Sequence, residues 1–495
     1  MKILLSPAFL PPYNDSKEKC TQKDNSEQIS WLTKLAPVIC NYLCLVIIGL
    51  LTWCLLWNLY GDDWAWNGQW FRLLVVAVAA WTFGQVFEAV TTLPPFLGAL
   101  LTGIFIRNIG FLDMNQYTQL DTSLRKIYPV IILGKASLGW NLTFMKSNWR
   151  RVAALGTLPW LAEVVTAALC VHLYLGFPLI WGFLLGSVYA SLSCIVVMPT
   201  MVRITNSAGC QRNWTQLVCT AGGVDTALSV GVYGIISTFM FYDTTNESYR
   251  YSKAVLTLFV GVVIGVIMGV CAGKIPHSLD FYVTELRIAI VVIGGLAINA
   301  FTFGHGWGGT GGVAVLVCNA VAATIWEKEG WKPNNNPAFT AYKVMWSALE
   351  PMLFAYSGTF FEINESMVRV LVPGLCILAT CLFVRLLVAV FACWGFTMRE
   401  KIFVCCAWTP KAIVESVLCP LAINNLVALG KYDSAEMQYA IDIMRLLIQA
   451  IIITTPLGFL VTKYLGPRLF KEKTKDCEET IHESQTEMWK SQTKL

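Results

Sequence analysis

The sequence predicts an all-α polytopic membrane protein of about fourteen transmembrane helices. Three observations carry this expectation. Of the 495 residues, 56% are hydrophobic and only 14% charged, whereas a soluble domain carries about 25% charged residues. Apolar runs of about 20 residues, the length that crosses a bilayer, recur along the chain. Two of these runs are interrupted internally by proline and small polar residues, the pattern of a transporter whose site is built on inverted repeats. The net charge of +5 points to no nucleic-acid partner. The 17 cysteines are scattered without a C-x-x-C pair, and the four histidines include no pair at ligand spacing. No disulfide framework, metal site, cofactor or enzyme chemistry is therefore expected.

Taken in order, residues 1–35 read as a polar cytoplasmic tail rich in Lys. Ile3–Leu5 is too short an apolar core for a signal peptide. Residues 36–470 read as one transmembrane domain. Its apolar spans fall at 36–60, 70–92, 94–110, 127–145, 152–175, 177–202, 214–241, 251–273, 281–303, 307–326, 339–361, 368–396, 402–428 and 437–466. Pro94 and Pro95 leave the second and third nearly fused. Residues 471–495 read as a charged cytoplasmic tail.

Basic residues set the orientation. One set of alternating connections holds Lys17, Lys19, Lys23, Lys146, Arg150, Arg151, Arg203, Arg212, Lys274, Lys328, Lys332, Arg399, Lys401 and the C-terminal tail. The opposite set holds only Arg125, Lys126, Arg250, Lys253 and Lys431. By the positive-inside rule both termini are cytoplasmic. The sequons at Asn246 and Asn364 then fall in outside loops.

Three spans have special texture. The eighth places Gly261, Gly265, Gly269 and Gly273 on one helical face, which permits close helix packing. The sixth is interrupted around Ser191, Ser193, Cys194 and Pro199, the thirteenth around Thr409, Pro410, Lys411, Glu415 and Pro420. Carbonyls freed by proline in a membrane helix need partners or an aqueous cavity. Gly308–Gly312 has no Gly-Lys-Ser/Thr and reads as a tight turn, not a phosphate loop.

The chain is organised around Cys219–Gly231, inside the seventh span. At its centre stands one carboxylate, Asp225, followed by Thr226. A charge at that depth costs at least about 2.5 kcal/mol, so an ion or proton site is expected there, against a structural pair with a base on another helix. The apolar runs also hold Glu88, Glu163, Glu350, Arg385, Lys411, Glu415 and Asp442. Six acids and two bases cannot neutralise one another, so some acids must be protonated, hydrated or ion-bound. Glu88 and Asp442, near span ends, read equally as solvated groups. Glu163 and Arg385 read as a structural ion pair.

These residues, in this order, resemble the NHA-type sodium/proton antiporters of the monovalent cation/proton exchanger superfamily. The resemblance runs from Leu93–Gly98 and Ile106–Asn108, through Ala221–Asp225, Glu350-Pro351 and Ala407–Ala412, to Leu465–Leu469. It implies a homodimer, with a dimerisation part and a mobile core part interleaved in sequence. It implies two broken helices crossing near the ion site, matching the sixth and thirteenth spans, and alternating access. It also implies a Glu163–Arg385 pair. The family carries two adjacent aspartates at the site; here the second is Thr226. The family's Ser-Pro in the first broken helix is here Ser193-Cys194.

The expected function is monovalent cation (Na+, Li+ or K+)/proton antiport with a modified site. Its ion- and proton-binding residues are Asp225, Thr226, Ser193 and Cys194. Glu163, Arg385, Lys411, Glu350 and Glu415 support it, and Glu350 or Glu415 replaces the missing charge if its helix faces the site. The alternatives are proton-coupled chloride transport, favoured by Lys411 and Arg385, or a non-transporting regulatory role. The plasma membrane is expected rather than an organelle membrane.

Overall fold

A computed structural model describes residues 31–66, 68–140, 142–205, 213–241, 247–275, 277, 279–331, 336–431 and 434–492. Residues 1–30, Arg212, Asn246 and Lys332 lie outside these, while residues 31–35, read as part of the tail, open the first helix. Among the described residues there is no strand, and the chain forms eighteen α-helices. The first nine are α1 (Trp31–Tyr60), α2 (Gln69–Thr91), α3 (Pro95–Asn108), α4 (Thr118–Leu138), α5 (Leu142–Ser147), α6 (Trp149–Leu175), α7 (Leu179–Tyr189), α8 (Cys194–Thr205) and α9 (Trp214–Phe241). Then follow α10 (Glu247–Lys274), α11 (Val283–Gly304), α12 (Thr310–Lys328), α13 (Pro337–Gly358) and α14 (Glu365–Ala392). The last are α15 (Met398–Ala407), α16 (Ile413–Leu418), α17 (Leu421–Ala428) and α18 (Ala435–Gln492).

By length and apolarity, nine helical segments among the described residues can cross a membrane. The expected fourteen is thus not reached on that criterion, for local reasons. Helix α3 has only 14 residues. Helix α4 starts well before residue 127 and carries Asp121, Arg125, Lys126 and Lys135. The segment 402–428 is cut into α15, α16 and α17. Two basic residues assigned to connections are buried within helices instead. Arg125 is buried in α4, and Lys253, buried in α10, donates to the carbonyl of His305 at 3.1 Å. The charged segment after Lys471 continues α18; its Lys and Glu are good helix formers.

The helices pack as two groups. One contains α2, α3, α4, α10, α11, α12 and α13; the other contains α6, α7, α8, α9, α14, α15 and α18. Small residues bring the backbones together, as close packing in a membrane requires. The glycine stripe of α10 lies against α12: a Cβ on Gly265 would stand 2.7 Å from the Ala314 carbonyl, and one on Gly269 2.6 Å from that of Cys318. Gly103 of α3 abuts the Ala355 carbonyl of α13 just as closely. Gly308–Gly312 makes the expected turn: Gly309 takes a positive φ of 81° immediately before α12. Helices α2 and α3 are separated by Thr92 in a left-handed conformation and by Pro94, with Pro95 at the first helical position, where its missing N–H is harmless.

Both interruptions are present. The first lies at Ala190–Ser193, between α7 and α8; Pro199 sits within α8 and does not break it. The second lies at Trp408–Ala412, between α15 and α16, and a further bend at Cys419–Pro420 separates α16 from α17.

Candidate functional site

The two breaks touch. The amide of Ser193 donates to the carbonyl of Pro410 at 2.9 Å. Each interruption frees backbone groups in the interior, and these must be satisfied there. One side chain does much of this. Arg385, from α14, donates through Nε to the carbonyl of Trp408 at 3.0 Å and through Nη1 to the carbonyl of Ala190. The same guanidinium reaches Glu163 Oε2 of α6 at 2.5 Å and Asp225 Oδ2 of α9 at 2.8 Å. Lys411, in the second break, pairs with Glu163 Oε1 at 2.8 Å and donates to the carbonyl of Tyr189. Thr454 and Thr455 of α18 hold the Lys411 backbone from the other side.

Asp225 is 0% exposed. Its Oδ1 accepts the amide of Leu192, in the first break, at 2.8 Å. Arg385, Glu163, Asp225 and Lys411 thus form one buried network of two acids and two bases spanning both breaks. Buried charges persist only when paired and hydrogen-bonded, and this arrangement meets both conditions. The expected Glu163–Arg385 pair is therefore present, but shared with Asp225 and Lys411.

Two glycines allow the approach. A Cβ on Gly222 would stand 2.1 Å from Cys194 Sγ, and one on Gly223 2.3 Å from Trp140 Nε1. Cys194 Sγ itself donates to the carbonyl of Val218 at 3.4 Å.

Thr226, Ser193 and Cys194 border a cavity of about 810 Å³ that runs along α9 between the two helix groups. Its wall is largely apolar. Among the described residues it carries Arg125, Lys135 and Lys343 and no carboxylate. The Ser193 hydroxyl, on this wall, has no hydrogen-bond partner among the described residues.

Of the residues singled out in the sequence, Asp225, Thr226, Ser193, Cys194, Glu163, Arg385, Lys411 and Glu415 converge here. Glu350 stands apart on α13, in the other helix group, with Lys135 of α4 as the cation acting on it. Asp442 is buried and paired with Arg445 at 3.2 Å, so the solvated reading fails for it. Glu88 is exposed.

Sequence reasoning missed a second polar cluster. Arg125 of α4 binds Asp121 at 2.8 Å and donates through Nη1 to the carbonyls of Ser416 and Val417 at the end of α16. Asp121 also accepts from Asn424 of α17 at 2.6 Å. The i,i+4 spacing of Asp121 and Arg125 was a legible signal for such a pair. The cluster adds one base and one acid to the interior, so it leaves the net charge unchanged.

Comparison with known proteins bears on the same region. Residues 73–463 match the model of a family described as sodium/hydrogen exchanger, transmembrane. Human sodium/hydrogen exchanger 9B2 is 29% identical over 440 residues, covering 86% of this chain and 80% of its own. Human sodium/hydrogen exchanger 9B1 is 28% identical over 489 residues, covering 93% and 92%. The sodium proton antiporter MjNhaP1 from Methanocaldococcus jannaschii has a similar fold, with a TM-score of 0.65 at 16% identity, over 80% of this chain and 97% of that one.

Proposed function

We propose that this chain, which belongs to the transmembrane sodium/hydrogen exchanger family, is a secondary active antiporter exchanging a monovalent cation (Na+, Li+ or K+) for protons by alternating access. The observation that carries the reading is the meeting of two helix breaks around one buried charge network, with Thr226, Ser193 and Cys194 turned to a cavity beside it. Broken helices at mid-membrane offer carbonyls and amides to an ion without lipid contact. Asp225 supplies the site's charge, Thr226 and Ser193 offer neutral oxygens, and Glu163, Arg385 and Lys411 hold both breaks in place.

The two helix groups correspond to a dimerisation part and a mobile core part, and the protein works as a homodimer in the plasma membrane with both termini cytoplasmic. It serves pH homeostasis, uses no cofactor or resident metal, is not an enzyme, and contacts lipid but no nucleic acid.

One observation favours a second reading, proton-coupled anion transport: the cavity wall bears bases and no carboxylate, and Thr226 stands where the family has an acid. Purified protein in vesicles, given separate sodium, potassium and chloride gradients while lumenal pH is recorded, separates the two. Proton movement driven by sodium or potassium supports antiport. Movement driven only by chloride supports the second reading. No movement under any gradient leaves a regulatory role.

A further inference from the structure

We infer that Glu415 is a second proton-exchanging carboxylate, compensating on the interrupted helix for the acid that Thr226 lacks. The inference rests on the antiport reading of the same site. Glu415 lies in the six-residue helix α16, between the break at Lys411 and the bend at Cys419. Its side chain is 0% exposed. Among the described residues neither carboxylate oxygen meets a side-chain donor, and the backbone amides of Ala412 and Glu415 act on it.

The charge count singles it out. The groups facing it are Lys411 from its own segment, Asp225 from α9 and Tyr189 from α7. Glu163 and Arg385 stand behind these, and Arg125 of α4 binds the far end of α16. Lys411 is the cation acting on Glu415, yet its ammonium is already committed to Glu163 and to the carbonyl of Tyr189. Three acids, Glu163, Asp225 and Glu415, therefore face two bases, Arg385 and Lys411. The cluster is neutral only when one of the three holds a proton or a monovalent cation, and Glu163 and Asp225 are already paired with the two bases, which leaves Glu415. Ionised and unpaired, it would leave one uncompensated charge in a low-dielectric interior, which is strongly disfavoured.

A group that must hold one of two monovalent ions is the element an exchanger needs. When the proton leaves Glu415 to water in the cavity, a cation takes its place and the charge of the cluster is unchanged. The cavity is lined by Ile413, Val414 and Val417 of the same helix, with Glu415 next in sequence to Val414. Glu350 does not qualify, being on α13 beside Lys135.

Infrared titration of the purified protein tests this, following the C=O band of protonated carboxylic acids as pH is raised. The wild type should lose a buried-acid band on titration, and Glu415→Gln should lack that band. Gln is the neutral isostere, so the variant should remain monodisperse. Glu415→Asp should keep the band at a shifted position and serves if the Gln variant aggregates. An unchanged titrating band in Glu415→Gln, or an unshifted one in Glu415→Asp, would overturn the inference. In vesicles, Glu415→Gln should also lose the pH dependence of cation flux. A wild type that moves neither sodium nor potassium against protons would remove the antiport reading and leave the infrared result to decide the role of Glu415.

Discussion

The amide of Ser193 donates to the carbonyl of Pro410 at 2.9 Å, so the two helix interruptions satisfy one another directly. Neither break is a flexible hinge by itself. Each is held by the other, by Arg385 and by the charges that Arg385 gathers. Both interrupted helices thus meet at the site through direct hydrogen bonds.

The buried network gives the first prediction. Glu163→Gln removes the carboxylate that pairs with both Arg385 and Lys411 and should lower stability by roughly 3–5 kcal/mol, the penalty for breaking a buried ion pair. Arg385→Gln should cost about as much and also orphan the carbonyls of Ala190 and Trp408. The double variant restores charge balance through Asp225 and Lys411, so part of the loss should return. Thermal unfolding in detergent measures this; harmless and strictly additive single changes would contradict the network.

Thr226→Asp restores an adjacent acidic pair on the cavity wall. Two carboxylates so close repel when both are ionised, so the pair should favour a bound cation or proton. Sodium or lithium coupling should strengthen in vesicle assays, and any chloride-driven proton movement should disappear. Chloride coupling that survives Thr226→Asp would place the anion elsewhere.

Asp225→Asn removes the charge that faces Arg385 while keeping the shape. Proton-coupled flux should be abolished while the protein still folds, since Arg385 keeps Glu163 and two carbonyls. Full coupling in this variant would take Asp225 out of the mechanism.

Gly222→Ala tests the close approach of α9 to the first break. The added Cβ would stand 2.1 Å from Cys194 Sγ. Overpacking of this kind costs typically about 1–3 kcal/mol. Gly222→Ala combined with Cys194→Ala should recover most of the lost melting temperature, because the second change removes the colliding sulfur. No recovery would mean that the strain lies in the backbone.

Arg125→Ala should destabilise more than any exposed Arg substitution. Among the described residues it leaves the buried Asp121 with Asn424 as its side-chain donor, and it takes one donor from the carbonyls of Ser416 and Val417. A loss of about 3–5 kcal/mol is expected, read as a fall in melting temperature. Retention of wild-type stability would show that this cluster holds nothing together.

The sequence by itself determined the class of this protein. Its membrane character follows from composition and from run length, both of which are local properties set by bilayer thickness and by the cost of unsatisfied backbone in lipid. The second interruption was legible for the same reason, since Pro410 cannot continue a helix unaided; the first was marked only by the polar Ser191 and Ser193, because Pro199 lies within α8. The depth of Asp225 was legible as well. What only the tertiary structure decided is which charge meets which. Arg385 lies far along the chain from Asp225 and Glu163, and no spacing rule links positions on separate helices. Arg125 looked like a loop residue until α4 was seen to begin before it, with Asp121 one turn away as its partner. Glu350 and Glu415 were equal candidates in sequence, being acids of one kind in apolar runs. Packing separates them, because α13 turns Glu350 toward Lys135 while α16 places Glu415 against Asp225 and a lysine already taken.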